Sequence, residues 1–155
     1  MKKLNSKIKA FTLSEMIVVL ILSSIVIGLA FSVLNLVQKH MISIQQNYTN
    51  TTKFKKLETS LWLDFNRYSK IEYSSLENEL KFSTAIDSVM YQFSDNYIIK
   101  GIDTFPVPIQ QKQFYFDGEF MEHGQIDAIK LETEKTFQNQ QLFIFKNNDA
   151  NAYMN

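Results

Sequence analysis

The 155-residue sequence has no cysteine, which excludes a disulfide scaffold, a thiolate metal site and a cysteine nucleophile. It has two histidines, His40 and His123, too few for a multi-histidine metal centre. Four glycines and two prolines leave no material for a Gly-rich phosphate loop. Net charge is also missing: 16 basic side chains balance 16 acidic ones, so nothing favours nucleic acid or another polyanion as partner. Aromatic residues, in contrast, make up 14% of the chain, more than a wholly disordered sequence carries.

The balanced total hides an asymmetry. The first ten residues hold Lys2, Lys3, Lys7 and Lys9 and no acid, so the remainder has 12 basic and 16 acidic side chains. From Met16 to Val37 there is no charge at all, and 15 of those 22 residues are Leu, Ile, Val or Phe. At about 1.5 Å per residue this run spans roughly 33 Å as a helix, against a hydrocarbon core of about 30 Å. A core helix of a small soluble domain would show a polar face. A cleavable secretory signal would have a shorter apolar region with a small-residue cut site behind it. The run therefore predicts a single membrane-spanning helix. The lysines before it favour a cytoplasmic N-terminus, with the chain from about Gln38 onward on the opposite side.

The junction at Ala10-Phe11-Thr12-Leu13-Ser14-Glu15 admits two readings. Thr12-x-x-Glu15 fits a capping box, in which each side chain satisfies the other residue's free backbone amide. Glu15 in the first turn also suits the helix dipole. The second reading comes from the whole arrangement of basic leader, small residue, Phe-Thr-Leu, glutamate five residues into the new chain, and apolar helix. This resembles a type IV prepilin leader, as found in type IV pilins and type II secretion pseudopilins. The resemblance implies cleavage by prepilin peptidase between Ala10 and Phe11, N-methylation of Phe11, and a role for Glu15 in subunit assembly. Glu15 would answer the amino terminus of a neighbouring subunit within the membrane. Two positions depart from the family pattern: Ala10 stands where glycine is usual, and Ser14 where an apolar residue is usual. A carboxylate at hydrocarbon depth costs about 2.5–3.5 kcal/mol. Fifteen apolar residues at roughly −0.3 to −0.6 kcal/mol each outweigh it.

Beyond the membrane run, Val37, Met41, Ile44, Tyr48, Phe54, Leu57, Leu61, Phe65 and Tyr68 continue at helical spacing. One long helix is predicted, with a weak point at Asn47–Thr52, where propensity is poor. Asn47 and Asn50 head glycosylation sequons, which a prokaryotic host would leave as chance matches. The period then falls to two. Leu80 with Phe82, Val89 with Tyr91 and Phe93, Tyr97 to Ile99, Ile129 with Leu131, and Leu142, Phe143 and Phe145 predict strands. Asp117-Gly118 between Phe114/Phe116 and Phe120 marks a hairpin. Phe105-Pro106-Val107-Pro108 reads as an extended link along an edge. The tail from Asp149 to Asn155 reads as frayed.

The expected fold is α+β: a long N-terminal transmembrane, pilin-like helix packed on a small antiparallel β-rich domain. Its parts are a cleaved basic leader (1–10), the transmembrane and assembly half of the helix (11–37), its periplasmic half (38–72) and a β-rich periplasmic domain (73–155). The order of helix, strand with Leu80 and Phe82, strand with Val89 to Phe93, turn at Asp95-Asn96, and Tyr97-Ile98-Ile99-Lys100 is similar to minor pseudopilin component J of type II secretion systems. That resemblance implies a non-enzymatic subunit in or at the tip of a pseudopilus that supports protein export. Its partners would be pseudopilin components I and K, prepilin peptidase, an inner-membrane assembly platform and membrane lipid, with no nucleic acid. The alternatives are a minor pilin of a type IV pilus or DNA-uptake system, and a signal-anchored periplasmic binding module. A membrane-anchored hydrolase is disfavoured because no catalytic constellation appears. No catalytic residue, metal ligand or cofactor is expected, although the acids Asp87, Asp95, Asp103, Asp117, Glu119, Glu122 and Asp127 are the places a calcium site would use.

Overall fold

The computed structural model describes residues 11–146. Ala10, the basic leader and the tail from Asp149 lie outside that range. One helix, α1 (Leu13–Arg67, 55 residues), takes up the apolar run and the apolar stripe as far as Phe65. Ten strands follow, and the chain divides after Gln45 into two units.

In the first unit the side chains of residues 11–45 are all exposed. Among the described residues nothing covers the apolar run, so the helix presents a hydrocarbon-like surface all round. It is long and apolar enough to cross a membrane. Its serines do not break that character. Ser23 Oγ donates to the Val19 carbonyl (2.7 Å) and Ser24 Oγ to the Leu20 carbonyl (2.8 Å), so neither hydroxyl needs water.

The second unit is the head. Strands β1 (Lys70–Ser74), β2 (Glu79–Ser83), β3 (Ser88–Phe93), β4 (Ile98–Lys100) and β5 (Asp103–Phe105) form an antiparallel meander, each pairing with the next. A two-residue strand, β8 (Gly124–Gln125), joins the far side of β1 and makes the sheet six-stranded. The second sheet has four strands in the order β10 (Gln141–Phe145), β9 (Ala128–Thr133), β6 (Ile109–Phe116), β7 (Glu119–Met121). Phe105-Pro106-Val107-Pro108 leads from edge strand β5 of one sheet to β6 of the other, as the two prolines require, and plants Val107 fully in the core.

Helix α1 enters the head core through Phe54, Leu57, Leu61 and Phe65, whose spacing of three and four residues keeps them on one face. They cluster with Leu80, Phe82, Tyr91 and Ile98 of the first sheet and Phe114, Ile129, Leu131, Leu142 and Ile144 of the second. Each such buried side chain contributes about 1.5–3 kcal/mol. Ring contacts fix the packing: Phe65 meets Phe82 edge-on at 5.3 Å, and Tyr73 of the first sheet stacks on Phe114 of the second at 3.7 Å.

The helix does not weaken at Asn47–Thr52. Asn50 Nδ2 donates to the Thr136 carbonyl (2.9 Å), Gln140 Nε2 donates to Thr51 Oγ1 (3.1 Å), and Thr52 Oγ1 donates to the Tyr48 carbonyl (2.8 Å). Two of the poor helix formers thus act as fasteners, Asn50 to the 3₁₀ turn Lys135–Phe137 and Thr51 to Gln140 just beyond it. The helix stops at Arg67, five residues short of position 72, because Ile71 and Tyr73 are buried as strand residues. Lys146 Nζ donates to the carbonyl of Tyr68, the residue that follows the helix, at 2.5 Å.

Asp117 (φ 49°) and Gly118 (φ 82°) close the β6–β7 hairpin as a two-residue turn with both φ values positive, the type I′ geometry their sequence predicts. A Cβ at Gly118 would meet nothing within 4 Å, so the cost of Gly118→Ala comes from the positive φ alone. The expected cost is about 1–2 kcal/mol. Thermal unfolding of the full chain in detergent checks it; an unchanged midpoint would show that the turn carries no strain. In the last strand Leu142 and Ile144 face the core, while Phe143 and Phe145 stand exposed.

Candidate functional site

The site is built from the start of α1. Thr12 and Glu15 form the reciprocal capping box. The Thr12 backbone N–H donates to Glu15 Oε2 (2.9 Å), and the Glu15 N–H donates to Thr12 Oγ1 (3.4 Å). Thr12 Oγ1 donates to the same Glu15 oxygen at 3.0 Å and lies 3.0 Å from Ser14 Oγ. Ser14, the residue that departs from the prepilin pattern, thus joins the polar cluster at the helix start. Phe11 and Leu13 beside it are 79% and 78% exposed. The result is one carboxylate at the entrance to an uncovered apolar helix, held by its own chain and close to Phe11. What it offers chemically is a negative charge that a second, positively charged group could meet in a low-dielectric setting.

A second polar cluster lies in the head and is not apparent in the sequence. Asp64, on the core face of α1, accepts the Tyr91 hydroxyl at 2.5 Å and Lys100 Nζ at 2.7 Å. Ser60 Oγ lies 2.8 Å from Tyr91 Oη and accepts from Lys100 Nζ at 3.0 Å. Lys100 also sits 5.3 Å from the Tyr91 ring centre. Burial, reinforced by the hydrogen bond to Asp64, pushes the Tyr91 phenol far above its usual pKa. A protonated tyrosine, a carboxylate and an ammonium group locked together form a clamp between helix and sheet.

The acidic loops do not converge. Among the described residues no three His, Cys, Asp or Glu side chains come together in a way that would hold a metal ion. Asp87 takes Arg67 (3.2 Å) and the Tyr68 hydroxyl (2.9 Å). Asp127 Oδ2 accepts the Asp117 backbone N–H at 2.8 Å and so braces the β6–β7 turn. His123 lines a shallow hollow with Tyr73, Leu76 and Gly124.

Residues 5–31 match a protein family described as the prokaryotic N-terminal methylation motif. That stretch contains Ala10, Phe11 and Glu15 and runs on into the uncovered apolar helix. The chain is type IV prepilin-like. No curated protein matches it, and neither does any solved structure. The motif covers the start of this prepilin-like chain and leaves the head without a family assignment.

Proposed function

We propose that the protein is a minor pseudopilin, most similar to component J, that assembles into or at the tip of a type II secretion pseudopilus and supports protein export. The observation that carries the reading is the methylation motif running onto an apolar helix that no described residue covers. A helix with no covering of its own needs lipid before assembly and neighbouring helices after it. In this reading prepilin peptidase cuts between Ala10 and Phe11, Phe11 is N-methylated, and Glu15 pairs with the amino terminus of an adjacent subunit. The helix is held in the inner membrane, its N-terminus cytoplasmic and the head periplasmic. The head meets components I and K, and the assembly platform drives the subunit out of the bilayer. The protein performs no chemical step of its own.

Intact mass spectrometry of the protein from cells with and without prepilin peptidase tests the first part. The expected product begins at N-methyl-Phe11 and depends on the peptidase. A chain that keeps Met1 in peptidase-competent cells makes Ala10 a failed cut site and favours a signal-anchored binding module. Deletion of the gene tests the second part. Lost export with normal twitching and DNA uptake is the expected phenotype; the reverse pattern assigns the protein to a pilus or uptake system.

A further inference from the structure

The two sheets of the head expose four edges, and three of them are guarded. Strand β8 has two residues, β7 has three with Glu119 at its start, and β5 has three, with Asp103 at its start and prolines after it. Short strands, charge and proline are the usual means of keeping an edge from pairing. Strand β10 has none of them. Its five residues, Gln-Leu-Phe-Ile-Phe, carry no charge and no proline.

The register shows which backbone groups β10 leaves outward. Thr133 N–H donates to Gln140 O, and Lys146 N–H donates to Asp127 O, so the even-numbered residues bond to β9. Hydrogen-bonded and non-bonded pairs alternate in an antiparallel ladder. Gln141, Phe143 and Phe145 therefore direct their N–H and C=O groups away from β9, where no strand lies among the described residues.

Beside that edge runs a groove of about 620 Å³, bounded on its other side by the last turns of α1. Trp62, Phe143 and Phe145 line it and are 56%, 58% and 61% exposed. The apolar surface continues over the outer face of the sheet, where Phe143 meets Tyr115 and Tyr115 meets Phe120. The groove's charged lining is of one sign, Arg67 and Lys146, with no acid. Lys146 meets the Tyr68 carbonyl and Arg67 meets Asp87, yet the Arg67 side chain is 69% exposed.

We propose that β10 and this groove take up an extended segment of a partner protein, which adds a fifth strand to the four-stranded sheet. The open ladder supplies main-chain hydrogen bonds, and alternate apolar side chains of the segment fill the spaces around Trp62, Phe143 and Phe145. A carboxylate on the segment, from an acidic residue or its C-terminus, lies toward Arg67 and Lys146. Nothing in this assignment depends on which machine the protein serves.

Trp62 is the single tryptophan of the chain and lines the groove, so its emission reports occupancy directly. The full chain in lipid nanodiscs is titrated with the peptide Thr-Val-Thr-Phe-Thr-Val-Asp, free at its C-terminus, and with versions in which the apolar residues are permuted. A saturable blue shift is expected from at least one. N-methylation of alternate peptide nitrogens should weaken that binding at least about tenfold, the worth of two lost hydrogen bonds. Phe145→Lys, which places a charge on the open edge, should abolish it, and Ile102→Lys in the β4–β5 turn should not. Phe143→Thr keeps a good strand former and serves if Phe145→Lys fails to fold. The proposal is overturned if no peptide gives a saturable shift. It is equally overturned if the shift survives N-methylation or the edge variants, since apolar adhesion alone would do that. A concentration-dependent dimer abolished by Phe145→Lys assigns the edge to a second copy of this chain instead.

Discussion

Replacing Asp64 by alanine is expected to destabilise the head by about 3 kcal/mol, the lower end of the cost of stripping one partner from a buried ion pair. The lower end applies because Lys100 keeps 22% of its side chain in solvent and can be partly rehydrated, whereas Asp64 keeps only 7%. The loss has two parts. Lys100 would be left with Ser60 as its hydrogen-bonding partner, and the Tyr91 hydroxyl would lose its acceptor at 2.5 Å. Asp64→Asn keeps a side-chain oxygen for Tyr91 and should cost less. The pair Asp64→Leu with Lys100→Met removes both charges together and should recover much of the loss. Urea titration of the full chain in detergent distinguishes these variants. A double variant as unstable as Asp64→Ala would mean that helix packing at this position, and not the uncompensated charge, sets the cost. The same cluster predicts alkaline sensitivity. The folded-state pKa of Tyr91 is raised, so its contribution is fully present below the unfolded value of about 10 and is lost progressively as the pH rises from there through the folded-state value.

At Glu15 the expected effect is on assembly. Glu15→Ala should abolish incorporation into filaments while leaving the unfolding midpoint of the head unchanged, because no contact of Glu15 reaches beyond Thr12 among those the structure shows. Alanine removes both the cap and the charge, so it cannot separate the two readings of the Thr12–Glu15 pair. Glutamine separates them. Glu15→Gln retains the capping geometry, since an amide oxygen accepts the Thr12 N–H as a carboxylate does. A cap alone is worth about 0.5–2 kcal/mol to the helix. If capping is the whole role, the glutamine variant assembles normally. If the charge meets a neighbour's amino terminus, it fails like alanine. Cross-linking between subunits in membranes reads the outcome, and normal cross-linking of Glu15→Gln would remove the electrostatic part of the proposal.

What the sequence disclosed follows from how local each signal is. The bare helix is written in one uninterrupted run, and the β6–β7 turn in two residues, so both are legible. The paired strands carrying Leu80, Phe82, Tyr91 and Phe93 show period two and were equally plain. Strand β1 follows the helix after two residues, and its Ile71 and Tyr73 also prolong the helical stripe, which hid it. Strand β8 is too short to carry a period. The division into two sheets is set by pairings distant in sequence, such as Tyr73 with Gly124. The inward face of β10 is not legible in the sequence, because four consecutive apolar residues, Leu142 to Phe145, have no alternation to follow. Asp64 looks like any helix acid until Tyr91 and Lys100 arrive from two strands. At the N-terminus the residues that matter are contiguous, which is why that candidate site could be named in advance and the groove beside β10 could not.

The order in which the chain is made gives the head's last strand a further consequence. Ribosomes deliver α1 first, so Phe54, Leu57, Leu61 and Phe65 emerge long before Leu142 and Ile144, which help cover them. The bonds Asn50–Thr136, Thr51–Gln140 and Tyr68–Lys146 span 86, 89 and 78 residues. Contacts of such separation form late and slowly. The newborn head therefore keeps an apolar helix face open until β10 emerges. Truncation just before β10 would prolong that interval indefinitely, and the nascent chain would become a substrate for quality-control proteases rather than a partly working subunit.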